Sequence, residues 1–86
     1  MEIVWIIEAK YVSEFVIFLK FNDGTEGTVD LADKLKGPVF ESLKDISYFK
    51  SFSLKAWTIE WTNGADLAPE FLYNEVIKTQ INTEVG

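Results

Sequence analysis

Eighty-six residues with a formal net charge of −6, no cysteine and no histidine make one small domain without a disulfide frame, a thiolate metal site or the commonest general base. All eight cations are lysines, so the planar fork that most often reads guanine and grips phosphate is missing, and the acidic balance repels a nucleic-acid backbone. No apolar run reaches the about eighteen residues that span a bilayer, and Met1-Glu2 offers no basic leader, so the expectation is a cytoplasmic protein with no signal peptide, no membrane partner and no direct nucleic-acid binding.

A chain this short buries a limited core. Three Trp, three Tyr and seven Phe are its main building material. The run "IVWII" opens a first strand at 3–11, in which Ile3, Trp5, Ile7, Ala9 and Tyr11 form one apolar row and Glu8 and Lys10 turn outward. Ser13 and Glu14 mark a turn. "FVIFLKF", 15–21, is a second strand with Phe15, Ile17, Leu19 and Phe21 on one face. "NDG" at 22–24 is a hairpin signal, because Gly24 takes positive φ at little cost. A short third strand follows at 25–29, and Gly27 inside it reads as a weak point or a bulge.

The period then changes. Asp30 stands where an N-cap belongs, Leu31 and Leu35 are four apart, and Gly37-Pro38 stops that helix. A second helical turn in "VFESLKD" starts at Pro38. "YFKSFSLKAWTIEW", 48–61, returns to period two and reads as two strands joined tightly near Lys55-Ala56, although neither residue favours the positive φ of a two-residue loop. Pro69 opens a last helix that runs to 79–81 and buries Leu72 and Val76, flanked by Tyr73 and Ile77. The expected fold is α+β: a small antiparallel sheet of four to six strands with helices packed on one face. One domain covers 1–81, and 82–86 is a mobile polar tail.

The chain also echoes itself. "LKFNDGTEGTVDL" and "IEWTNGADL" each end a strand on an aromatic residue, turn on glycine and continue to Asp-Leu. Two copies do not make a repeat array, which needs about three units, so this is one loop chemistry used twice.

These blocks resemble a bacterial family, domain-of-unknown-function family 2442. The resemblance rests on Phe21 to Gly24, Asp30-Leu31, Phe40 to Leu43, Tyr48-Phe49, Trp61 to Gly64 and Asp66 to Tyr73, in that order. Two features depart from the family pattern: a short join at Lys55-Ala56, and Thr62 where proline is common. The resemblance implies a small α+β domain with an antiparallel sheet. It brings no catalytic residues and no cofactor. It places similar domains alone, beside helix-turn-helix segments, or in toxin–antitoxin-like gene pairs.

Candidate site residues are few. Asp66 and Glu70 are spaced to meet around the start of the last helix, and Asp23 or Asp30 could add oxygens for a hard cation. The stronger reading is helix-start chemistry, so no metal and no cofactor are expected. Glu60 lies on the outer side of the tryptophan strand, with no second acid placed by the sequence to make a hydrolytic pair. The serines have no histidine to activate them. Trp5, Trp57, Trp61, Phe71 and Tyr73 are expected mainly as core, with Tyr73 the candidate for partial exposure, because its hydroxyl needs water or a partner. The first expectation is therefore a non-enzymatic protein-binding module, in the role of the acidic partner of a two-gene unit, with Tyr73, Asp66, Glu70 and Glu60 as contacts. Self-association as a homodimer is a further expectation. One alternative is a carboxylate- or metal-dependent enzyme using Asp23, Asp66 and Glu70. A second is an accessory domain of a DNA-binding regulator.

Overall fold

The computed structural model describes residues 3–35, 37–55 and 57–85, except the side chains of Val39 and of residues 79–85. Strands β1 (Ile6–Ser13), β2 (Val16–Phe21) and β3 (Glu26–Asp30) form an antiparallel sheet in chain order. A 3-10 helix (Pro38–Lys44) and the short helix α1 (Ile46–Phe49) lead to a second antiparallel pair, β4 (Ser53–Lys55) with β5 (Thr58–Glu60), and then to α2 (Pro69–Val85). The fold is the expected α+β, with five strands among the described residues. They are divided between two sheets, which the Ile6 N–H joins by donating to the Trp57 carbonyl at 3.0 Å.

The period-two pattern of β2 is realised in full. Ile17, Leu19 and Phe21 are buried on the inner face, while Val16, Phe18 and Lys20 alternate with them. Strand β1 starts later than expected, at Ile6, and its parity is not constant. A register shift lies between Ile6 and Glu8 against β2. Before it, Val4 and Ile6 pack inward; after it, Ala9 and Tyr11 do. A bulge adds a residue to one strand only, so it changes which residues face the core. Ile3 and Ile7, expected in the same row as Ala9 and Tyr11, are thereby exposed. Gly27 makes no bulge: it pairs in regular register with Leu19.

Two expectations between the sheets need correction. Residues 31–35 form a turn, not a helix. Asp30 is still the last residue of β3, and its Oδ1 accepts the Ala32 N–H at 3.0 Å. Leu31 and Leu35 are both buried, but Gly37 at φ 100 and Pro38 leave too little chain to offset the cost of nucleating a helix. The second correction concerns Tyr48 and Phe49, which lie in α1 rather than in a strand. Asp45 caps that helix, its Oδ1 accepting the Ser47 N–H at 3.0 Å. The helical turn drives Phe49 into the core, where its ring centroid lies 5.2 Å from Phe15, 5.8 Å from Trp61 and 6.3 Å from Tyr11. The Trp61 indole N–H donates to the Phe49 carbonyl at 2.7 Å, so the largest buried ring is also satisfied as a polar group.

Helix α2 begins at Pro69 as expected and extends beyond 81. Leu72 and Val76 are buried and face the core, with Tyr73 and Ile77 half-buried beside them. The tail expected at 82–86 involves side chains, and the terminal Gly86, outside the described residues.

Candidate functional site

The two echoing segments fold into the same turn. In the first, the Phe21 N–H donates to the Thr25 carbonyl at 2.8 Å, the Gly24 N–H to the Phe21 carbonyl at 3.0 Å, and the Thr25 N–H to Asp23 Oδ1 at 2.9 Å. In the second, the Trp61 N–H donates to the Ala65 carbonyl at 2.9 Å, the Gly64 N–H to the Trp61 carbonyl at 3.0 Å, and the Ala65 N–H to Asn63 Oδ1 at 3.0 Å. Gly24 and Gly64 sit at φ 92 and 93. The second turn brings Asp66 opposite Glu60 in an antiparallel bridge. Directly opposed residues share a face, so these two carboxylates are neighbours. Asp66 is thus held by the ladder, not by a capping role: among the described residues its carboxylate has no hydrogen-bond or ion-pair partner. Glu70 lies exposed in the first turn of α2.

Tyr73 is half-buried, with its ring edge-on to Phe21 at 5.1 Å between centroids. Its hydroxyl donates to Asp23 Oδ2 at 2.7 Å and lies 3.4 Å from Thr25 Oγ1. This bond ties α2 to the β2–β3 turn. It also holds the Asp23 carboxyl below the usual aspartate range, with the Thr25 N–H as a second cause. Because the folded-state pKa is depressed, this stabilisation is present above the unfolded value and is lost as pH falls through the folded one. Tyr73→Phe should therefore flatten the loss of Tm on acidification below about pH 4, where unfolded aspartate titrates. Thermal melts of both proteins across that range check it, and parallel acid limbs would show that the bond contributes nothing. Asp23 and Tyr73 meet, and so do Glu60 and Asp66. Among the described residues no three acids come together in a way that could hold a metal ion, and no concave pocket is found.

The feature not anticipated is Trp57. It is 68% exposed and has φ 77, in the left-handed region. For a bulky side chain that conformation is an outlier costing about 1–3 kcal/mol. Its ring leans on Trp5, with centroids 6.1 Å apart. The segment carrying Trp5 is held in place by Asn22, whose Oδ1 accepts the Trp5 N–H at 2.8 Å and whose Nδ2 donates to the Ile3 carbonyl at 3.2 Å. Ile3 and Ile7, on the same side of the extended chain as Trp5, are 67% and 49% exposed. Two rings and two isoleucines thus form a pinned apolar surface turned away from the core. The signal for it was in the sequence: a tight join without glycine or asparagine forces some ordinary residue into positive φ.

No helix among the described residues is long and apolar enough to cross a membrane. Comparison with curated proteins gave no match, nor did comparison with solved structures. A family model described as a protein of unknown function (DUF2442) matches residues 6–78, a span that runs from the first residue of β1 into α2 and takes in both glycine turns. With most of its length and every strand inside that match, the chain belongs to the DUF2442 family.

Proposed function

We propose that this chain is a non-enzymatic protein-binding module whose principal contact is the surface of Trp57, Trp5, Ile3 and Ile7. The observation that carries the reading is Trp57 itself, an exposed ring on a strained backbone. Tryptophan in that position carries two costs in the free protein, exposure and strain, and tryptophan is the residue most enriched among interface hot spots. In this reading Glu60 and Asp66 supply an acidic margin, Glu70 offers a further exposed acid on α2, and Tyr73 supports the turn that carries Asn22 and Asp23. The net charge of −6 suits the acidic member of a toxin–antitoxin-like pair. The alternative, an enzyme built on Asp23, Asp66 and Glu70, would need those acids to converge, whereas Asp23 meets Tyr73 and Asp66 lies opposite Glu60. A DNA-regulatory role would need its basic surface from another chain.

Trp57→Gly separates binding from stability. Glycine relieves the positive φ, so the variant should melt at the wild-type temperature or above, yet retain far less of the protein that co-purifies with the wild type. Quantitative co-purification from the native host, beside thermal melts, is the check. Equal recovery with Trp57→Gly and wild type would remove this surface from the function.

A further inference from the structure

We propose that the partner on this surface is a basic, amphipathic segment of another protein, which sets apolar side chains on Trp57, Ile3 and Ile7 and a lysine or arginine between Glu60 and Asp66. This rests on the protein-binding reading above. The argument comes from the twin hairpins. In the first, the residue before the turn's aromatic is Lys20 and its cross-strand partner is Glu26, with their charged atoms 3.9 Å apart. On its other side Lys20 faces Glu8, so the row alternates in sign. In the second hairpin the same two positions hold Glu60 and Asp66, and the flanking position is Ser53. Like charges directly opposed on a sheet are destabilising. Among the described residues neither carboxylate forms an ion pair. Lys55 lies on the same side of the ladder, diagonal to Glu60, but it does not come within ion-pairing distance.

The acidic pair and the apolar surface face the same way. Ile6 and Ile59 both point into the core, so their strand neighbours Trp5 and Glu60 point to the other side. The Ile6–Trp57 bond joins the two sheets at their edges, which makes that side one surface. Trp57 immediately precedes β5 and Glu60 ends it, so at the strand rise per residue their backbones lie at most about 10 Å apart. An extended or helical segment with an apolar residue and a cation at that separation can reach both. The cation would replace the missing lysine of the second hairpin and turn a repulsive pair into an attractive row, which commits the partner to positive charge.

The probes are three short labelled peptides, of alternating leucine and lysine, alternating leucine and glutamate, and alternating serine and lysine, titrated with the full chain by fluorescence anisotropy. Only the leucine–lysine peptide should bind well. The double variant Glu60→Gln with Asp66→Asn should weaken it by about tenfold or more, a change of about 1.4 kcal/mol or more. The same variant should melt no lower than the wild type, because it removes a repulsion. Glu41→Gln with Asp33→Asn changes the net charge equally at other sites and should leave binding as it is. If that control weakens binding as much, or if the leucine–glutamate peptide binds equally well, the basic-partner inference falls. Trp57→Ser distinguishes the two levels: it should abolish leucine–lysine binding, and if it has no effect the protein-binding surface itself is misplaced.

Discussion

Trp61→Ala should lose about 3–5 kcal/mol, the range for removing a large ring from a packed core. For a domain of this size, with a total stability of about 4–13 kcal/mol at the usual per-residue value, that is between about a quarter and all of the stability. The reason is local to one cluster. Trp61 is 2% exposed and packs on Phe49 and Phe52, and its indole N–H satisfies the Phe49 carbonyl. The carbonyl belongs to α1, so the bond also anchors the short helix to the residue that follows β5. Trp61→Phe keeps most of the ring volume and removes only the donor, and should cost about 1–3 kcal/mol, the penalty for leaving a buried polar group unpaired. Urea denaturation followed by far-ultraviolet circular dichroism measures both without relying on tryptophan emission. A Trp61→Ala loss under about 1 kcal/mol, the level of an average substitution, would place the core elsewhere.

Gly64→Val should cost about 1–3 kcal/mol, and Gly24→Val should cost the same. Both glycines hold nearly equal positive φ, and a Cβ at either position would meet no atom within 4 Å. The penalty is therefore conformational and not a clash, which is why two sites far apart in sequence should respond alike. Gly64→Asn should cost clearly less, since asparagine tolerates the left-handed region. Paired chemical denaturation of the three variants tests the equivalence. If Gly64→Val instead kept its Tm and lost the co-purified partner, the second turn would be the contact itself and not only a backbone reversal.

Much of this chain is legible residue by residue, because the controlling interactions are short. Asn22-Asp23-Gly24 and Asn63-Gly64 make the same turn twice from their own side chains and one permissive glycine each. The β2 pattern needs only alternation, and Pro69 needs only its fixed φ to open α2. Tertiary structure decided the rest. The residues of β1 that face the core depend on a bulge set by pairing with β2, so the apolar row from Ile3 to Tyr11 could not be assigned to one face from its spacing. Leu31 and Leu35 are four apart, a spacing shared by a helix face and by two anchors of a compact turn, and the positive φ of Gly37 followed by Pro38 left no room to extend a helix. Tyr73 was a candidate contact by chemistry, and it became a latch because the fold brought Asp23 to it across fifty positions of sequence. Trp57 shares the period of Ile59 and Trp61, but the tight β4–β5 join put its backbone at positive φ and its ring outside, against Trp5. A local signal names the turn and the strand. Whether a large ring is core or surface depends on what the rest of the chain covers, and no window of neighbouring residues contains that information.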